Sequence, residues 1–259
     1  MNAMIFAAGL GTRLKPITDT MPKAMVPLGG RPLIQILLER LKEAGAKEIV
    51  VNVHHFAQQI IDFVRSNNGF GLDIRFSDET DMLLETGGGL KAAMPLFSTQ
   101  EPVLVHNVDI ISNADLAAFY RKAKTTTLLV SQRDTQRYLV FDDSNLLIGW
   151  VNLATRQVKS PYERLRRLAA MATDAESLRR SIEADYHLYA FSGIHVFYPS
   201  LLPYMYGWQG KFSIIDFYLS VCDKEPIRCF HMPNLKLIDV GKLDTLAQAE
   251  ALLSLADKD

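Results

Sequence analysis

The 259-residue chain contains only two cysteines, Cys222 and Cys229, without C-x-x-C spacing. That excludes a disulfide framework and a cysteine-built zinc ribbon, and it implies a reducing, cytoplasmic setting. Charge of one sign is also missing: 28 basic residues balance 29 acidic ones, for a formal net charge of -1. No global field exists to hold nucleic acid or an anionic membrane surface. No apolar run approaches the ~18 residues of a membrane span. The opening apolar run lacks a basic segment before it, so it is expected to be neither signal peptide nor anchor. Two common phosphate loops are absent as well. After Gly9 and Gly11, Leu14 stands where the dinucleotide fingerprint needs a third glycine, and GxxxxGK[ST] does not occur. Nicotinamide oxidoreductase and P-loop ATPase readings lose weight accordingly.

What is present is a strict alternation. "AMIFAA" is a short buried strand ended by glycine, and "RPLIQILLERLKEAGA" is a helix with Pro32 in its first turn and Gly45 at its end. "KEIVVNVHH", "LDIRFSDE", "PVLVHNVDII" and "TTTLLVSQR" read as strands. "AQQIIDFVRSNN", "GGLKAAMPLF" and "NADLAAFYRKAK" read as the helices between them. This pattern predicts an α/β fold with a mostly parallel sheet flanked by helices, and ligands gather at the C-terminal strand ends of such sheets. The second half differs. "RYLVFDDSNLLIGWVN" reads as a hairpin turning at Asp143, Ser144 and Asn145. Residues Glu163 to Asp185 read as a charged, solvated helix pair. "HLYAFSGIHVFYP" reads as a strand broken by Gly193, "SIIDFYLSVCDK" as a helix, "LKLIDVG" as a strand and "KLDTLAQAEALLSLA" as a terminal helix.

The chemistry concentrates in "AAGLGTRLKPITDTMPKAMVP", Ala7 to Pro27. Gly9 and Gly11 let backbone N–H groups approach an anion. Arg13 offers two parallel donors to phosphate oxygens, Lys23 adds a point charge, and Pro16 and Pro22 stiffen the loop. Asp109 sits at the end of another strand and should face the same crevice. His54 and His55 lack a spaced third metal ligand, and His106 reads as a core residue.

"GLGTRLKPITDTMPKAMVPLGGRPLI" resembles the signature of the sugar-1-phosphate nucleotidyltransferases, G-x-G-x-R-x-x-P-x-T-x-x-x-P-K-x-x-x-P. The resemblance continues through "LLETGGGL", "VHNVD", "AFSGIHVFYP" and "IDVGKLDTLAQAE", and it is weakest between about Arg137 and Tyr189. It implies a Rossmann-like nucleotide-diphospho-sugar transferase fold in one domain spanning 1–259. Nucleotide would bind to about 1–135 and sugar to about 136–259. It implies that a sugar 1-phosphate attacks the α-phosphorus of a nucleoside triphosphate and expels pyrophosphate. The catalytic cations would be Arg13 and Lys23. The nucleotide would meet Ala7, Ala8, Gly9, Gly11 and Thr12 on the loop, and Glu85, Thr86, Gly87 and Gly88 at the base. Mg²⁺ would be held by Asp109 and Asp239. The ETGGG form is most similar to the N-acetylmuramate-1-phosphate uridylyltransferase group.

For the sugar, the resemblance points to Ser192 and Gly193, and Trp150 and Asn152 occupy the neighbouring region. The family's E-K-P lysine is missing, with Lys159 as its possible substitute. UTP with N-acetylmuramate 1-phosphate or a related hexose phosphate is the favoured pair. Mannose-1-phosphate guanylyltransferase and glucose-1-phosphate thymidylyltransferase remain open, as does an inactive nucleotide-sugar-binding regulator or a phosphosugar enzyme without nucleotide. The few residues after the last helix argue against a bifunctional acetyltransferase. A monomer and a homodimer are both compatible with the sequence.

Overall fold

The apolar run Asn2–Phe6 forms β1 in the middle of the sheet, and both of its faces are covered: Ala3 and Ile5 pack to one side, Met4 to the other. The structure, a computed structural model, describes residues 1–256. After β1 come β2 (Pro27–Leu28), β3 (Arg31–Pro32), α1 (Leu33–Glu43), β4 (Glu48–Val53), α2 (Ala57–Ser66), β5 (Asp73–Asp78) and α3 (Glu85–Ala93). Next are β6 (Val103–Asn107), β7 (Ile110–Ser112), α4 (Leu116–Lys122), β8 (Thr127–Ser131), β9 (Arg137–Phe141), β10 (Leu147–Asn152) and β11 (Gln157–Lys159). The chain closes with α5 (Glu163–Met171), α6 (Ala175–Glu183), β12 (His187–Phe197), α7 (Leu202–Met205), α8 (Ile214–Val221), β13 (Arg228–His231), β14 (Leu237–Asp239) and α9 (Leu243–Ala256).

The main sheet runs β11-β10-β9-β12-β6-β1-β4-β5, with β8 also on β12 and β13 on β8. It is mixed. β6, β1, β4 and β5 are parallel, as βαβ crossovers require, whereas β12 runs antiparallel to β6, β8 and β9. Helices α1, α2, α4 and α9 bury one face, where Leu37, Leu41, Ile60 and Phe119 join the strand residues. On the other face, α3, α7 and α8 contribute Leu90, Met205 and Phe217. The charged pair α5–α6 packs Leu165, Leu178 and Ile182 on the outer side of the β9–β10 hairpin, so it covers a third small core. No helix among the described residues is long and apolar enough to cross a membrane.

Three features depart from the sequence expectation. The segment read as one strand over 102–111 is split into β6 and β7, because the chain turns at Val108–Asp109. The short strand β13 went unread, since "RCFH" offers a single fully apolar position within a polar run; it is nonetheless paired parallel to β8. Helix α3 starts at Glu85 and carries Gly87, Gly88 and Gly89 inside it. Each helical glycine costs about 0.5–1 kcal/mol relative to alanine. The cost is offset by close packing: a Cβ on Gly87 would lie 2.4 Å from the Phe212 ring, and one on Gly88 2.4 Å from the Gly210 carbonyl oxygen.

His195 lies in the core against the Tyr218 ring, with neither ring nitrogen hydrogen-bonded to protein. Burial lowers its pKa to about 3. The folded chain therefore keeps this imidazole neutral at pH values where the unfolded chain, at about 6.5, takes a proton. Its contribution is intact above pH 6.5 and is lost as the pH falls towards 3. Thermal unfolding should show Tm dropping between pH 7 and pH 4.5, with a visibly shallower drop for His195→Phe; equal slopes for the two proteins would refute the assignment.

Candidate active site

The glycine loop leaves β1 at the C-terminal edge of the parallel strands. Gly11 has φ +63°, and a Cβ there would lie 2.9 Å from Thr18 Cγ2 and 3.2 Å from Lys23 Cβ. The Thr18 hydroxyl donates to the Gly11 carbonyl at 2.8 Å. Glycine is therefore required for conformation and for room, and the loop is folded back on the segment that carries Lys23. Gly9 has open space where its Cβ would be, which keeps the cleft floor free. Ala7 and Ala8 line the cleft, but their N–H groups donate to Asn52 Oδ1 at 2.7 and 3.3 Å. They therefore do not present those donors to an anion, contrary to the expectation of a backbone cradle at these two positions.

The acids are brought in by a second ladder. The Val108 N–H donates to the Phe6 carbonyl, which ties the β6–β7 turn to the end of β1. Val108 itself packs inward among core residues. Strand β14 pairs with β7, setting Asp239 opposite Ile110, and the Val240 N–H donates to the Asp109 carbonyl at 2.8 Å. Lys23 is buried, donates from Nζ to Asp109 Oδ2, and lies 3.9 Å from Asp239 Oδ1. Arg13 Nη2 is 3.8 Å from Asp239 Oδ2. Gly241 is pressed against this pair, since a Cβ there would lie 2.7 Å from Arg13 Nη2. Burial, then the neighbouring Asp109 charge, pushes the Asp239 carboxyl above its ordinary value; Lys23, Arg13 and Arg133 oppose the shift. Asp239 Oδ1 is buried and has no hydrogen-bond partner.

These acids fit a hard divalent cation. Two carboxylates at one cleft, one with an orphaned oxygen, match a Mg²⁺ ion completed by substrate phosphates and water. Among the described residues no group of three or more His, Cys, Asp and Glu is placed to hold a metal, so a dedicated all-protein cage is absent.

The cleft, about 520 Å³, is lined by Gly9, Gly11, Thr12, Arg13, Lys23, Asp109 and, opposite, by Glu85 and Thr86. Glu85 adopts φ +59° at the head of α3 and lies 3.4 Å from Lys211, while the Thr86 hydroxyl accepts the Ile214 N–H at 3.0 Å. Gly87 and Gly88 are not in the cleft wall. Their closeness serves the Gly210–Phe212 segment, whose Phe212 carbonyl accepts both their N–H groups. Two wall residues were missed in the sequence. Asn52 Nδ2 donates to Glu79 Oε1 at 2.7 Å, and Glu79 Oε2 accepts the Leu84 N–H at 2.9 Å. With the two amides on Asn52 Oδ1, this buried chain links the glycine loop to the approach of α3. The sequence signal was an asparagine interrupting the apolar run "IVVNV".

On the other side of α8's start lies a second cavity of about 360 Å³, which contains Trp150 and Lys159 and shares Ser213 with the cleft. Three expected sugar residues are outside it. Asn152 Oδ1 accepts from Ala154 and Thr155 N–H, holding the β10–β11 turn. Ser192 is buried, and its hydroxyl donates to Leu129 O at 2.6 Å. Gly193 has φ +75° at an irregularity in β12, where a Cβ would meet the Asn107 side chain at 2.9 Å, so it buttresses the strand leading to Asp109. Lys159 is not a free cation: Nζ donates to Asp216 Oδ1 at 2.7 Å. His54 Nδ1 is taken up by the Glu79 carbonyl at 2.6 Å.

The fold and cleft define an α/β protein whose ligand crevice opens at the C-terminal ends of parallel strands. Residues 2–140 match the Nucleotidyl transferase family, and the chain belongs to that family. It is 42% identical over 125 residues to N-acetylmuramate alpha-1-phosphate uridylyltransferase of Neisseria meningitidis, covering 48% of this chain and 54% of that one. It is 46% identical over 111 residues to the protein of the same name in Caulobacter vibrioides, covering 42% and 46%. The chain thus spans about half the length of these curated relatives it matches. The solved structure of HddC from Yersinia pseudotuberculosis complexed with GMP-PN shares the fold, with a TM-score of 0.70 at 22% identity over 97% of this chain and 99% of that one.

Replacing Asn52 by alanine removes the acceptor of two buried amides and a donor to buried Glu79. Unsatisfied buried groups cost about 1–3 kcal/mol each. Asn52→Ala should lower the free energy of unfolding measured in urea by about 1–3 kcal/mol, seen as a lower midpoint with an unchanged m-value.

Proposed function

We propose that the chain is a sugar-1-phosphate nucleotidyltransferase that uses UTP with N-acetylmuramate 1-phosphate or a related hexose phosphate. The observation that carries this reading is the meeting of Lys23 and Arg13 with Asp109 and Asp239 at one wall of the glycine-loop cleft. The relatives' names support the choice of substrates.

The reaction joins two polyanions. A phosphate oxygen of the sugar 1-phosphate forms a bond to the α-phosphorus of the nucleotide. The bond from that phosphorus to the bridging oxygen breaks, and pyrophosphate leaves with the electron pair. Little acid–base chemistry is needed, so positioning and charge neutralisation supply most of the acceleration. Arg13 is exposed at the cleft and free to swing its fork onto the triphosphate. Lys23, held by Pro22 and the Gly11–Thr18 contact, brings a fixed positive charge beside the reacting phosphorus. Thr86 and Glu85 line the far wall, where the base would lie. Bound Mg²⁺ would neutralise developing phosphate charge, with Asp109 and Asp239 as its protein ligands. The location fitting this chemistry is the cytoplasm, where nucleotides are made.

Mg²⁺-dependent pyrophosphate release is the direct test, run over UTP, GTP, CTP, ATP and dTTP against several sugar 1-phosphates. UTP should be the nucleotide consumed. Arg13→Ala should slow release by about 10²–10³, the usual cost of losing a donor to developing charge. Asp109→Ala should abolish Mg²⁺-dependent release. No release with any pair, despite nucleotide binding, would favour the regulator over the enzyme.

A further inference from the structure

The second cavity carries more positive charge than a neutral sugar requires. Arg133, Arg137 and Lys159 line it against one acid, Asp216. Lys159 is matched to Asp216 at 2.7 Å and also lies over the Trp150 ring at 5.4 Å, so this pair is internally satisfied. Two guanidiniums remain. Arg133 follows β8 and spends one donor on the Phe191 carbonyl at 3.2 Å, two residues before Gly193, which packs against Asn107 on the strand leading to Asp109. It therefore stands at the end of the cavity nearest the reacting centre. Arg137 opens β9 opposite Asn152, at the rim. Among the described residues it has no carboxylate partner.

The same cavity has apolar surface between these charges. Leu139 and Trp150 are neighbours in the β9–β10 ladder, and Lys159 follows Trp150 in the β10–β11 ladder. A flat aromatic face bounded by guanidiniums suits a pyranose ring with acid groups at two ends. One acid is the 1-phosphate. A carboxylate on the ring's other side is the complement of a second, unpaired guanidinium fork.

We propose that this cavity takes the sugar substrate in a fixed sense, with its 1-phosphate on Arg133 and a ring-borne carboxylate on Arg137, so that Arg137 selects acid-bearing sugar 1-phosphates over neutral ones. Arg133 then fills the role left by the absent E-K-P lysine, which Lys159, tied to Asp216, does not. The inference rests on the transferase reading above for the chemistry, and on the cavity alone for the charge preference.

N-acetylmuramate 1-phosphate and N-acetylglucosamine 1-phosphate differ only by a lactyl ether that carries the carboxylate. Turnover with UTP should favour the first for the unaltered protein. Arg137→Gln should raise KM for the acid sugar by about tenfold more than for the neutral one, the scale of one charge-assisted pair. Arg137→Lys should restore part of the difference. Equal use of both sugars by the unaltered protein, or an equal loss on both in Arg137→Gln, would overturn the inference while leaving the transferase reading standing. Calorimetric binding of the two sugar phosphates separates the readings where turnover is absent. A preference for the acid sugar that Arg137→Gln abolishes supports the inference even without turnover, and no such preference overturns it.

Discussion

Two carboxylates and a lysine from three distant parts of the chain share one small volume. Asp109 and Asp239 repel each other, and each is partly withdrawn from water. Such an arrangement is tolerable only while a cation sits between them, because an unpaired buried charge costs several kcal/mol. Lys23 supplies that charge. Much else in the architecture serves to deliver these groups together. The β7–β14 ladder fixes the acids relative to each other. The bond from Val108 to Phe6 fixes both relative to the glycine loop. Gly11, folded against Thr18 and Lys23, brings the cation to them.

The parallel half of the fold was legible because its strands are buried on both faces and read as unbroken apolar runs between amphipathic helices. The loop and its cations were legible for a similar reason: glycine, proline and clustered charge are conspicuous where an ordinary βα turn needs none of them. The glycines of α3 were conspicuous too, but their meaning was not. A run of glycine indicates that something comes close without saying what, and here the neighbours of Gly87 and Gly88 are Phe212 and Gly210, more than a hundred residues away. The same limit hid the Asn52–Glu79 chain and the neutralisation of Lys159 by Asp216, which join residues far apart in sequence. Ser192 sits in a family-like stretch, yet its hydroxyl is consumed within the sheet by Leu129.

The antiparallel half is organised around β12. Its first residues pair with β9, its middle and later ones with β8, and its last four with β6. The irregularity around Ser192 and Gly193 interrupts the pairing with β8, and it places Gly193 against Asn107. The second cavity touches β12 at Phe191, and Gly193, two residues on, backs Asn107 in the cleft wall, while the two spaces meet at Ser213. The two cavities are aligned by backbone pairing instead of by a hinge.

That shared strand also bears on how lineages of this protein can diverge. Side chains alternate along a strand, so gaining or losing a single residue between His187 and Phe197 would turn half of them inside out and slide one ladder past its partner. Length there is frozen. The α5–α6 excursion packs on the outer side of the β9–β10 hairpin, where insertion leaves every central pairing intact. Change can thus accumulate at the periphery by trimming and extension, beside a central element that admits substitution but not a change in its count.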